Sequence, residues 1–300
     1  MESRRSIRGK LVVFAIWCLL VLAVLPAQAA QELPAISPDT GTMNVPGKIG
    51  VGPDGTIYVV DGSRGHVEKF SPSGQHLGEI SLPGVSAVAV ASNGTIYLGS
   101  HRDYSVTIFS NGMAIGKLGI GTAEFLSIRD IAVDGATGRV FVVDAAGNDV
   151  KIFDASGNRV GRIGSLHLPL SVAVANRKIY ILDSPEIQDP MTTEPKMTTI
   201  PRISVFNSKY SLVSTIDASG DFGTVFRPTD IAVSPRDVLY VGDISAGRVF
   251  LFDTTGTSQG EINSADARFS PVSLAFSPDG TLLYVSSNKT SSIHRFTGVQ

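Results

Sequence analysis

Lys48–Ile80, KIGVGPDGTIYVVDGSRGHVEKFSPSGQHLGEI, is the stretch that decides the fold, because the rest of the chain repeats its outline. A short apolar run, Lys48–Val51, meets the turn Pro53-Asp54-Gly55, and a β-branched and aromatic run, Thr56–Val60, follows. Glycine supplies a positive φ, proline fixes its own, and the flanks favour extended backbone, so the segment reads as a hairpin. A third run ends at Phe70, Pro72-Ser73-Gly74 makes a second turn, and Leu77–Ile80 is a fourth run. One copy therefore encodes four antiparallel strands, A to D.

Tyr58 and Phe70 mark the copy. The pair recurs as Tyr97/Phe109, Phe141/Phe153, Tyr180/Phe206, Tyr240/Phe252 and Tyr284/Phe296. Five pairs are 12 residues apart and the fourth is 26 apart, so the fourth copy carries an insertion of 14. Modules of about 40–45 residues with short β-runs in each are the mark of a radial β-array. Strands A and B are apolar on both faces, as in Ile131-Ala132-Val133 and Phe141-Val142-Val143, which suits sheets packed between two others. The expected fold is all-β: a six-bladed β-propeller of four-stranded antiparallel blades in a single domain over residues 30–300. A sandwich would not require six similar modules. Copy six stops at Phe296 with four residues after it, too few for a strand D. Residues 33–45 are the expected donor, closing the ring and hiding its edges, although Pro34 and Pro38 weaken such a strand.

The pattern P-x-D-I-A-V, then G-x-[VIL]-[YF]-V-x-D, then [VI]-x-[VIL]-F-D-x-x-G, clearest in Ile128–Gly157 and Pro228–Gly256, resembles the NHL repeat. The resemblance covers roughly residues 45 to 300. It implies a propeller and leaves function open, because NHL propellers include protein-binding and RNA-binding scaffolds and one amidating lyase.

Residues 1–29 read as an export signal: Arg4, Arg5, Arg8 and Lys10 precede the apolar run Leu11–Leu25, and Ala27-Gln28-Ala29 is a small-x-small cleavage site. Fifteen apolar residues fall short of the roughly 20 that span a bilayer, so no membrane span is expected after cleavage, with an uncleaved anchor as the alternative. The expected location is periplasmic or extracellular. Cys18, the single cysteine, leaves with the signal, so neither a disulfide nor a thiolate nucleophile is expected. The whole chain carries a net −2 and the signal holds four basic groups and one acid, which leaves about −5 on the remainder. An acidic exported chain is a poor match for nucleic acid. A monomer is expected.

The six residues just before the apolar core of strand A are Lys48, Ala87, Asp130, Ser171, Asp230 and Ser273. By repeat register they form one ring around the axial opening, with Arg129 and Arg227 close enough in sequence to pair with its carboxylates. Related six-bladed propellers of the gluconolactonase-like kind hold a divalent metal at this place. Lys48, Arg129, Asp130, Ser171, Asp230 and Ser273 are thus candidate ligand-binding residues at the channel mouth. Asp130 and Asp230 are the alternative metal ligands, for calcium or zinc. Two carboxylates and an ammonium neutralise one another more readily than they recruit a cation that wants six to eight oxygens, so no cofactor is the first expectation. The aspartates three residues after the marker of strand B (Asp61, Asp144, Asp183, Asp243), replaced by Ser100 and Ser287 in the other copies, read as turn caps. His66, His101 and His167 fall in loops, and the amidating-lyase resemblance makes them a candidate zinc trio without any fixed spacing. There is no G-x-S-x-G elbow and no Ser–His–Asp set in register. Catalytic residues are therefore not assigned. The stretch 184–201, SPEIQDPMTTEPKMTTIP, is expected to be a loop without a strand of its own on the ligand face. The expected function is a non-catalytic exported scaffold for a protein, peptide or glycan. A metal-dependent hydrolase or lyase at the channel mouth is the alternative.

Overall fold

The computed structural model describes residues 30–37, 43–119, 124–188, 197–199, 201–217 and 227–299. The expected export segment, with Cys18, lies outside the described residues. Strand β1 (Gln31–Ile36) precedes the repeats. Blade 1 holds β2 (Pro46–Val51), β3 (Ile57–Asp61), β4 (His66–Phe70) and β5 (His76–Ser81). Blade 2 holds β6 (Val85–Val90), β7 (Ile96–Ser100), β8 (Ser105–Ser110) and β9 (Met113–Leu118). Blade 3 holds β10 (Ile128–Val133), β11 (Val140–Asp144), β12 (Asp149–Phe153) and β13 (Arg159–Ile163). Blade 4 begins with β14 (Ser171–Ala175) and β15 (Lys178–Asp183), inserts the ribbon β16 (Glu186–Gln188) and β17 (Met197–Thr199), and ends with β18 (Arg202–Asn207) and β19 (Leu212–Asp217). Blade 5 holds β20 (Pro228–Val233), β21 (Leu239–Asp243), β22 (Arg248–Phe252) and β23 (Ser258–Ile262). Blade 6 holds β24 (Pro271–Phe276), β25 (Leu282–Ser287) and β26 (Ser292–Thr297), and takes β1 as its fourth strand.

All six blades are antiparallel and four-stranded, and the innermost strands β2, β6, β10, β14, β20 and β24 touch in a closed ring. The fold is the expected six-bladed β-propeller. Eleven of the twelve marker aromatics are buried, Tyr58 alone being half-buried. Core clusters run between blades rather than within them: Phe141, Val143 and Ile152 of blade 3 pack on Val172, Ile179 and Ile181 of blade 4. Burying one such side chain is worth roughly 1.5–3 kcal/mol, and a blade without neighbours would forfeit that gain on both faces.

Packing between blades is close enough in places to exclude any side chain. A Cβ added to Gly99 in β7 would meet Ile128 Cγ2 at 2.6 Å and the Ala87 methyl at 3.3 Å, so the blade 2–blade 3 seam has no room for one. Gly99→Ala should cost about 1–3 kcal/mol by overpacking, read as a lower denaturant midpoint. Gly135→Ala, at a position with ordinary φ and nothing within 4 Å, should stay within about 0.5 kcal/mol of wild type. Equal midpoints for the two variants would contradict the seam.

Two expectations change in detail. The closing strand lies at Gln31–Ile36, overlapping the expected 33–45 window in its first four residues. Pro34 falls where the β1–β26 register shifts between Leu33 and Ile36, and its carbonyl accepts from the Arg295 guanidinium at 2.6 and 2.8 Å, so the edge strand tolerates a residue without N–H. The expectation that 184–201 has no strand of its own is overturned: β16 and β17 pair as Glu186↔Thr199, Ile187↔Thr198 and Gln188↔Met197. Among the described residues, Pro185 stands before β16 and Pro201 after β17, so neither interrupts the pairing.

Candidate functional site

Successive antiparallel strands place the B–C turns and the D–A connections at one end of every blade, here the loop face. Each strand A starts from that face. In five of the six, the ladder to strand B is irregular at the start: between Pro46 and Ile49, Val85 and Ala87, Ile128 and Asp130, Pro228 and Asp230, and Pro271 and Ser273. A bulge leaves residues unpaired and re-aims the next side chain, so these breaks turn the ring residues toward the axis. The skipped residues in blades 2 and 5 are hydroxylic: Ser86 donates to the Ile128 carbonyl at 3.0 Å, and Thr229 donates to the Pro271 carbonyl at 2.9 Å, each stitching its blade to the next.

The structure brings Lys48, Asp130, Ser171, Asp230 and Ser273 together. Lys48 Nζ sits 3.0 Å from Asp130 Oδ2 and 2.6 Å from Asp230 Oδ1. Ser171 and Ser273 donate their hydroxyls to the two oxygens of Asp230 at 2.5 and 2.6 Å. The backbone N–H groups of Val172 and Leu274 donate to Asp130 and Asp230 at 3.0 and 2.8 Å. Ile231 and Ile49 donate theirs to the Ser171 and Ser273 oxygens. Both carboxylates and both serines are buried, and Ala87 supplies only a methyl. Burial works against the Lys48 ammonium, yet Asp130 and Asp230 outweigh it and hold Lys48 above its ordinary value. Burial also pushes the Asp130 carboxyl up, with Lys48 opposing and Asp230 adding to the push.

This donor set does not fit a calcium or zinc ion, because an ammonium already stands between the two carboxylates that would hold one. Arg129, expected at the mouth, is instead the skipped residue of its bulge, and its side chain is exposed. Arg227 is exposed as well and meets Asp243 through its backbone N–H at 2.8 Å. Neither pairs with the ring carboxylates, which Lys48 and the backbone N–H groups have taken.

The aspartates after strand B cap turns. Asp61 accepts from the N–H groups of Asn44 and Ser63, Asp144 from Leu126 and Ser127, and Asp243 from Arg227, Ser245 and Ala246. Burial would raise both carboxyls, but the Lys151 ammonium together with these N–H groups holds Asp144, and the same kind of N–H bonds with the Ser63 hydroxyl hold Asp61, below the ordinary carboxylate range. Asp183 differs, taking the Arg202 guanidinium at 3.1 Å and the Ser204 hydroxyl at 2.9 Å. The histidine trio does not assemble. His101 and His167 are exposed, whereas His66 is the first residue of β4, not a loop residue, and lies buried beside Glu68 and Glu79.

No family profile matches the chain, and no curated protein matches it in sequence. Solved structures do. Hydrazine synthase of Kuenenia stuttgartiensis superposes with a TM-score of 0.64 at 14% identity, covering 87% of this chain and 97% of that one. A gluconolactonase of Xanthomonas campestris gives 0.66 at 14% identity, covering 91% and 99%. A streptogramin B lyase gives 0.62 at 11% identity, covering 89% and 97%. The likeness is one of fold. At these identities it carries no residue roles, and none of the three confirms the NHL family.

One further feature was not legible in the sequence. Of the large apolar side chains left exposed among the described residues, Val45 (45%), Tyr104 (52%), Leu126 (55%) and Leu168 (52%) lie on the loop face, and the others lie on outermost strands. None lies on the hairpin turns of the opposite face. Tyr104 and Leu126 also open a cleft of about 1040 Å³ between blades 2 and 3, whose walls include Tyr97, Ile108, Ile115 and Phe125. Single exposed apolar residues are ordinary on a surface, but the loop face carries four of them where the opposite turns carry none, and two of the four stand at the rim of a cleft.

Proposed function

We propose that this chain is an exported, NHL-type binding scaffold that docks a protein or peptide on its loop face, with Tyr104 and Leu126 at the centre of the contact. The pairing of exposed Tyr104 and Leu126 on the loop face with the apolar cleft between blades 2 and 3 supports this reading. A rigid closed propeller presents such residues without an ordering cost, and aromatic and aliphatic anchors beside a cleft are what protein partners bury. The β16–β17 ribbon rises between strands B and C of blade 4, on the same face. The axial ring serves as an internal brace, since its carboxylates, ammonium and hydroxyls are satisfied by one another.

The test is capture from an envelope extract with quantitative mass spectrometry, comparing wild type with Tyr104→Ser/Leu126→Ser. Both residues are exposed, so the melting temperature should stay within about 2 °C. Recovery of the partner should fall at least tenfold, about the loss expected for removing two anchors worth roughly 1 kcal/mol each. Undiminished recovery by the double variant, or no reproducible partner for wild type, would overturn the reading.

A further inference from the structure

The outer wall of blade 1 carries a cluster that neither the fold nor the loop-face reading uses. In the β4–β5 ladder Glu68 stands directly opposite Glu79, and His66 lies two residues before Glu68, which puts it on the same side of the strand. Like charges directly opposite one another are unfavourable in a sheet, and Glu68 is buried with 1% of its side chain exposed. His66 Nε2 lies 2.9 Å from Glu68 Oε1 and 3.4 Å from Glu79 Oε2. The donor atoms of His66, Glu68 and Glu79 all fall within 4.8 Å of one another, the one such group of three among the described residues. Tetrahedral zinc with bonds of about 2.0–2.2 Å spaces its ligand atoms about 3.3–3.6 Å apart, so the two His66 separations stand within tenths of an ångström of that spacing and the half-exposed Glu79 side chain has room to close the third.

We propose that His66, Glu68 and Glu79 form a binding site for a divalent zinc-class ion, clasping the two outermost strands of blade 1 and leaving a fourth position to water. Imidazole with two carboxylates is a donor set for Zn²⁺ rather than for Ca²⁺, which takes oxygen alone. His76 Nε2, 2.7 Å from Glu68 Oε2, holds the other oxygen of that carboxylate and sets its rotation, as outer partners of metal ligands do. Arg64 Nη1 approaches Glu68 Oε1 at 3.5 Å and is the local cation that the ion would displace. For Nε2 to bind metal, the His66 ring proton moves to Nδ1, so the neutral imidazole is the ligand. The site lies on the side wall and does not depend on the loop-face reading.

The test is isothermal titration of EDTA-stripped protein with Zn²⁺ alone. One ion per chain, bound in the micromolar range or tighter, is expected. Glu79→Gln, at a half-exposed position that the fold tolerates, should weaken binding at least tenfold, and His66→Ala should abolish the site. His101→Ala/His167→Ala, which removes two exposed histidines outside the cluster, should titrate like wild type. X-ray absorption of the loaded protein should show a single imidazole. Absence of saturable binding, or binding kept equally by Glu79→Gln and His66→Ala, would overturn the proposal.

Discussion

Lys48→Met is expected to lose about 3–5 kcal/mol of stability at neutral pH, the cost of leaving a buried ion pair with one partner. Asp130 and Asp230 would then face each other across the axis with no cation between them. At about 2–4 °C per kcal/mol the melting temperature should fall by on the order of 10 °C. The loss should depend on pH. In wild type, Lys48 is held above its ordinary value, so its contribution is complete below pH 10 and is lost only as pH rises through the folded value. Asp130 already sits above its ordinary value, and removing Lys48 removes the largest influence that lowers it. A carboxyl raised in the native state binds protons there before it does in the unfolded chain, so native stability gains as pH falls. The gap between the two proteins should therefore narrow from pH 7 toward pH 4, and Lys48→Met/Asp130→Asn should recover part of the loss at neutral pH. Denaturant melts across pH check this. A gap below 1 kcal/mol at pH 7, or one that widens on acidification, would refute the account of the ring.

Removing β1 should have a still larger effect. A chain beginning at Met43 loses the β1–β26 ladder, the Ile36 side chain buried against Tyr284 and Ile293, and Glu32, which meets His294 at 2.8 Å and accepts from Ser264 and the Ala265 N–H at 2.7 and 2.8 Å. Four or so ladder bonds at about 1 kcal/mol each, with a buried isoleucine at about 2–5 kcal/mol, approach the 5–15 kcal/mol by which whole domains are stable. The truncated chain should show no cooperative melt and should associate through the bare edge of β26, visible by size exclusion. Adding the peptide AQELPAIS, residues 30–37, should restore the melt in proportion to its concentration. A truncated monomer that melts within a few degrees of the full chain would show that closure does not depend on β1.

Fold was far more legible than site. Tyr97, Tyr240 and Tyr284 each have a Phe 12 residues on because in every one of these blades the Tyr packs into the seam on one side and the Phe into the seam on the other, and equivalent burial leaves equivalent traces. Repeat register also placed Lys48, Asp130, Ser171, Asp230 and Ser273 on one ring. It misjudged Arg129, because register counts residues and a bulge breaks the count: one skipped position sends that side chain to solvent. His66 reads as a loop residue in the sequence, but pairing with Ser81 makes it the first rung of β4. Its neighbours Glu68 and Glu79 carry a faint signal in the i, i+2 spacing, but only cross-strand pairing shows that Glu79 faces them. Ribbon β16–β17 is hidden for a similar reason, since four threonines among four prolines read as coil until a partner strand supplies the pairing.

The β1–β26 register also decides how the molecule can be mounted. Gln31 pairs with Thr297, and β26 runs away from the loop face, so both residues come out on the side opposite the loops. Anything fused ahead of the first or behind the second, whether a tag, a bead or a carrier domain, grips the propeller from below and points its apolar loops outward. A group attached directly before Gln31 or after Thr297 therefore leaves the loop face clear.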